Sequence, residues 1–307
     1  MILIGENIHI ISKKVRQALE ERDEVFIKEL IKKQIKMDYI DFNIGPAKGK
    51  ISGAMSWLTK IKESENKNIG ISFDTSNFEE IKSGYHIVSN KNKTFINSTN
   101  IDDVNIYEKI NIAKENDSNI IALTMSKETG IPKTSDGRLE ISFNLYEKFL
   151  EKEIKTENLF FDPLVIPITA DQSQAKEALD TIKMIKESFE PQVKTIIGLS
   201  NISNGCPQNI RPIINRTYAV MAKGAGLDAA IIDAGDAELV RILKMLETKK
   251  PQKNIDELYL NIASSIENFE ETENIEYNES DKEQKIVMKA VNILSNKEVY
   301  SNSFTQI

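Results

Sequence analysis

The sequence predicts an α/β protein of the (β/α)8 barrel class. Eight short apolar runs recur at intervals of about one strand plus one helix, each run closes on a polar side chain, and amphipathic stretches separate them. In order, the runs are ILIG before Glu6, YIDFN ending at Asn43, IGISFD at Asp74, TFIN at Asn97, IIALT at Thr124, LFFD at Asp162, TIIGLSN at Asn201 and AAIID at Asp233. Continuous runs of Ile, Val, Leu and Phe are what parallel strands covered on both faces require. Between them, Asp23 is placed to cap a helix carrying Phe26, Leu30 and Ile35. Ala178, Leu179, Ile182 and Ile185 form a stripe before the seventh strand, and Leu239, Val240, Leu243 and Leu246 follow the eighth. An open doubly wound sheet would alternate in the same way; the count of eight favours closure. Strand C-termini in a closed barrel converge on one mouth, so the eight polar residues are expected to surround a single pocket.

At 307 residues the chain can bury one barrel core with something added. Forty basic against 47 acidic residues give a net charge of -7, which points to neither nucleic acid nor an anionic membrane as partner. The N-terminal MILIGENIHI has no basic stretch before a long apolar core, and no apolar run approaches a membrane span, so a cytoplasmic location is expected. The lone Cys206 excludes an intrachain disulfide or a cysteine cluster and reads as a buried thiol. His9, just past the first strand, and His86, on a helix face, have no companion at ligand spacing, so no metal of the protein's own is expected.

Three segments follow from the composition. Residues 1–247 carry the barrel pattern. Residues 248–285 are polar and read as an insertion, with one helical stripe (Ile255, Leu258, Tyr259, Ile262, Ile266 and Phe269) and a mobile acidic loop around EETENIEYNESDKEQ. Residues 286–307 hold a closing helix with Ile286, Val287, Ala290, Val291 and Leu294, then the tail VYSNSF.

Asp74, Asn97 and Asp162 are carboxylate, amide and carboxylate, a set suited to a flat heterocycle with an amino group and ring N–H donors beside a carbonyl. Two carboxylates at a barrel mouth equally suit general acid–base work or Mg2+. The segment from Gly198 to Tyr218, GLSNISNGCPQNIRPIINRTY, presents Ser200, Asn201, Ser203, Asn204, Gln208, Asn209 and Arg211. These side chains can orient a polar ligand, and they can also serve as the turn closers and caps of an ordinary βα loop.

Taken together, IGEN, DFNIGPA, SFDTSN, INSTN, LTMSKETGIPKTSDGRL, FFDPLVIP, GLSNISNGC with RPIINRT, and the final VYSNSF resemble the methyltetrahydrofolate:corrinoid iron-sulfur protein methyltransferase family. The resemblance runs from Met1 to about Glu247 and resumes near Ile286. It implies a homodimeric, pterin-binding barrel that moves a methyl group between 5-methyltetrahydrofolate and the Co(I) centre of a separate corrinoid protein. It further implies that Asp74, Asn97 and Asp162 hold the pterin, that Asn201 is the catalytic residue reaching the methyl-bearing nitrogen, and that Ser200, Asn204 and Arg211 contribute to the folate site. The Asn201 to Arg211 stretch is longer than the family pattern, and 248–285 has no counterpart in it. Dihydropteroate synthase, a related pterin-binding barrel, and a folate-binding protein that does not catalyse transfer are the alternatives. The first would need a diphosphate cradle, which GENIHIISKK and NIGPAKGK do not supply.

Overall fold

The computed structural model describes residues 1–306. Its eight strands are β1 (Ile2–His9), β2 (Tyr39–Asn43), β3 (Gly70–Asp74), β4 (Thr94–Thr99), β5 (Asn119–Leu123), β6 (Leu159–Asp162), β7 (Lys194–Gly198) and β8 (Ala229–Ile232). They are parallel and close in sequence order, with β8 pairing back to β1 through Ile2 to Gly5. The helices are α1 (Lys13–Glu21), α2 (Glu24–Lys33), α3 (Ala54–Glu65), α4 (Phe78–Tyr85), α5 (Ile106–Asn116), α6 (Ser135–Glu151), α7 (Ser173–Ser188), α8 (Arg211–Gly224) and α9 (Ala237–Thr248). Beyond the barrel come α10 (Asn254–Glu267) and α11 (Lys282–Leu294). No helix is long and apolar enough to cross a membrane among the described residues.

Side chains alternate inward and outward along each strand, and this period of two builds the interior in layers. Tyr39, Phe95, Phe160 and Ala229, one from each even-numbered strand, face inward together. Tyr39 meets Phe95 edge-on at 4.8 Å between centroids, and Phe95 meets Phe160 at 4.9 Å. Ile4, Ile121 and Ile196 of the odd-numbered strands join this inner cluster, the alternate-strand stacking expected of such barrels. The outward residues, such as Ile40, Phe42, Ile71, Phe73 and Phe161, are buried beneath the helices.

Several elements depart from the sequence-based expectation. Asp23 does cap α2, accepting from the Phe26 N–H at 3.0 Å. The buried stripe, however, is Ile27 and Ile31, and Ile35 lies past the helix end, 58% exposed. His86 is an exposed C-terminal cap of α4 rather than a residue on its face. In α10 the predicted stripe is buried from Ile255 to Ile266, but Phe269 lies beyond the helix at φ 60° with Lys183 Nζ 4.3 Å above its ring. The acidic segment is partly anchored: Thr272 and Ile275 are buried, and Lys297 pairs with Glu271 and Glu273. The closing helix begins at Lys282, four residues early, because the Asp281 carboxylate accepts from the Glu283 and Gln284 N–H groups.

Two contacts fasten α10. Arg241 of α9 forks onto the buried Asp256 carboxylate, with N–O distances of 2.8 and 2.6 Å. Gly224 ends α8 where a Cβ would stand 2.4 Å from the Ala263 carbonyl oxygen. Gly to Ala inside a helix ordinarily stabilises by about 0.5–1 kcal/mol. Gly224→Ala is expected to do the reverse, lowering the urea midpoint by an amount equivalent to about 1–3 kcal/mol as the helices are forced apart. A raised midpoint would show that α8 and α10 separate freely.

Candidate active site

Two residues farther along the same strands, the inward layers turn polar. From the even strands come Asp41 and Asn97 and Asp162; from the odd strands come Glu6 and Asp74, with Gly198 on β7 leaving a gap. Asn97 Nδ2 donates to Asp41 Oδ1 at 3.2 Å, and Asn43 Nδ2 donates to Asp74 Oδ2. Burial raises both Asp41 and Asp74 above the ordinary carboxyl range, and the nearness of Asp74 raises Asp41 further. Two carboxyl groups so placed do not both ionise readily.

Asp162 is buried and its pKa is pushed up to about 7, by desolvation, against the pull of the Leu164 N–H it accepts at 2.7 Å and of the Arg138 charge. Arg138 on α6 is itself fully buried. Its Nε donates to the Pro132 carbonyl at 3.1 Å and its Nη2 to Gln174 Oε1 at 2.6 Å, while Nη1 has no partner. A buried guanidinium keeps its proton, so Asp162 sits in a fixed positive field.

The rim over Gly198 is a 3-10 turn from Leu199 to Ser203. Asn201 folds back so that its Nδ2 lies 2.9 Å from where a Gly198 Cβ would be; any side chain there would displace the amide. From Asn201 a chain of polar contacts runs outward. Asn204 Nδ2 donates to Asn201 Oδ1 at 3.3 Å, Arg211 Nη2 donates to Asn204 Oδ1 at 3.1 Å, and Arg211 Nε donates to Ser203 Oγ at 3.1 Å. Ser200 Oγ donates in the other direction, across the mouth to Glu6.

The structure therefore gathers Asp74, Asn97 and Asp162 in the strand layers and Ser200, Asn201 and Asn204 on the loop after β7, with Arg211 at the start of α8. Some strand-end assignments need correction. Glu6 lies within β1 rather than at its end, Asn97 lies two residues before the end of β4, and Asn201 stands past β7. Thr124 does not line the mouth: it is outward by parity, buried, and its hydroxyl donates to the Asp162 carbonyl at 3.0 Å. Asp233 ties the β8–β1 seam, accepting from Asn7 Nδ2 at 2.6 Å. Cys206 is a buried free thiol. No cluster of three or more His, Cys, Asp or Glu side chains placed to hold a metal ion occurs among the described residues.

No family model matches the chain. It is similar to the methylcorrinoid:tetrahydrofolate methyltransferase of Eubacterium limosum, with 23% identity over 244 residues covering 78% of this chain and 88% of the relative. That match supports a place for this chain among pterin-binding methyltransferases. Methionine synthase of Mycobacterium tuberculosis is 28% identical over 148 residues, 47% of this chain and 12% of that much longer protein. Among solved structures, the dihydropteroate synthase of Coxiella burnetii in complex with pteroic acid superposes with a TM-score of 0.58 at 12% identity, covering 81% of this chain and 94% of that one. That likeness establishes a shared barrel fold.

Of the mouth residues, Asp41 is the one the run ends do not mark: it lies inside YIDFN, two residues before the polar end of the run, although Asp41 and Asn43 share the inward parity. Glu6 was on the strand-end roll, but nothing near it in sequence marks its contact with Ser200, 194 residues away.

Proposed function

We propose that the protein transfers a methyl group between 5-methyltetrahydrofolate and the Co(I) centre of a corrinoid protein, with residues 1–247 and 286–307 forming the barrel and 248–285 an insertion upon it. The observation that carries this reading is the pairing of a carboxylate–amide–carboxylate floor, Asp74, Asn97 and Asp162, with the Asn201 amide seated over Gly198. The floor offers acceptors for the amino group and ring N–H of a pterin and an amide for its carbonyl side. Asn201 is then the group above the ring that can hydrogen-bond the methyl-bearing nitrogen, with Asn204 and Arg211 bracing it.

The chemistry fits neutral donors. A tertiary amine gives up its methyl only if the nitrogen gains a proton or a strong hydrogen bond, since an amide anion is a very poor leaving group. Co(I) is already a potent nucleophile, so the protein's tasks are orientation and electrostatic support. One sequence relative is a methylcorrinoid:tetrahydrofolate methyltransferase and another a methionine synthase, which favours transfer over pteroate synthesis.

The test is transfer of the methyl of 5-methyltetrahydrofolate to free cob(I)alamin, followed by the absorbance of the alkylated corrinoid. Single-turnover formation of methylcobalamin is expected, and the reverse demethylation with tetrahydrofolate. A folded protein that binds the folate yet forms no methylcobalamin would leave a binding protein only, and formation of dihydropteroate from a pterin diphosphate would assign it to the other branch of the fold.

A further inference from the structure

Four carboxyl groups face the mouth: Glu6, Asp41, Asp74 and Asp162. The proposed reading occupies Asp74 and Asp162 with the pterin edge, and Asp41 is bound beneath Asn97. Of the four, Glu6 is joined to the Leu199–Ser203 turn that carries Asn201, through the Ser200 hydroxyl. It projects from β1 into the same odd-strand layer as Asp74 and Gly198, the glycine over which the Asn201 amide lies.

From this geometry we infer that Glu6 is the proton donor of the methyl transfer, giving its carboxyl proton to the nitrogen that loses the methyl group. The inference rests on the function proposed above. The N–CH3 bond breaks as the Co–CH3 bond forms. Cobalt supplies the electron pair of the new bond and passes from Co(I) to Co(III), the pair of the broken bond stays on nitrogen, and nitrogen takes the Glu6 proton. Glu6 is left as a carboxylate and regains a proton from solvent; in the opposite direction it receives the proton.

The surroundings suit a group that must carry a proton near neutrality and release it. Burial raises the Glu6 pKa to about 7, with Asp233 just past β8 and Asp41 on β2 adding repulsion. The Ser200 hydroxyl and the Arg211 charge on α8 act in the opposite sense and stabilise the carboxylate once the proton has gone.

The experiment is the pH dependence of single-turnover methyl transfer to cob(I)alamin for the wild type, Glu6→Gln and Ser200→Ala, with folate affinity measured in parallel. In the wild type the rate is expected to fall as pH rises through about 7. Glu6→Gln preserves shape and can still pair with Ser200 but cannot donate a carboxyl proton. It should slow transfer on the order of 100-fold, flatten that limb, and leave the folate Kd within about threefold. Ser200→Ala removes a bond to the charged form, so its limb should move to higher pH. A Glu6→Gln profile equal to the wild type overturns the inference while leaving the proposed function standing; a wild type that transfers no methyl overturns both. If Glu6→Gln fails to fold, an unshifted Ser200→Ala limb overturns the inference by itself.

Discussion

Asn201→Ala is expected to slow single-turnover methyl transfer by a factor on the order of 10 to 1000 while weakening folate binding far less. The reason lies in where its amide sits. Asn201 is exposed on a rim turn and its side chain makes one hydrogen bond within the protein, with Asn204, so its removal leaves no buried group orphaned and no core cavity. Under the proposed function, what it removes is a donor to a nitrogen whose basicity rises as the methyl departs. An interaction that strengthens toward the transition state appears in the rate rather than in ground-state affinity. Stopped-flow transfer at saturating folate measures the first quantity and calorimetry the second. A rate defect that saturating folate fully recovers would make Asn201 a binding residue.

Asp162→Ala should act in the opposite way, on affinity. Leaving ring donors unpaired in a buried floor costs about 1–3 kcal/mol per group, more where charge is involved, or about 5- to 150-fold in Kd. The variant carries a second consequence: Arg138, fully buried with Nη1 already unpartnered, loses one of the negative groups that favour its charge, Glu177 being another. Unpaired buried charge is destabilising, so the melting temperature should fall as well. Asp162→Asn separates the two effects because it keeps the volume and loses the charge. Unchanged folate affinity in both folded variants would remove Asp162 from the site.

The barrel was legible in the sequence because burial on both faces leaves an uninterrupted apolar signature, and eight such signatures are hard to produce otherwise. The carboxylate–amide–carboxylate floor was legible for a related reason: Asp74, Asn97 and Asp162 are inward-facing polar residues at or near the ends of apolar strands. Asp41 and Thr124 show the limit of that reading. Position at the end of a run does not fix the face, and a one-residue error of parity exchanges a pocket residue for one beneath the helices. In α2 the centre of the buried face lies one residue of helical phase on, at Ile27 and Ile31, with Phe26 and Leu30 packed against the core at its edge. Contacts between distant segments, Ser200 with Glu6 and Arg138 with Gln174, leave no local trace at all.

The aromatic layer of Tyr39, Phe95 and Phe160 closes the barrel below the polar floor. Its consequence is one of accounting for protons in a sealed compartment. Glu6, Asp41, Asp74 and Asp162 lie on the mouth side of that layer, so under the proposed function a large methyl acceptor seated there would stand between them and bulk solvent. Whatever protons the four carboxyl groups hold at that moment would then be the stock for the reaction beneath. A turnover that uses one would be loaded before the acceptor seats and reloaded after it leaves, so its departure would reset the site's protonation as well as admit the next reactant.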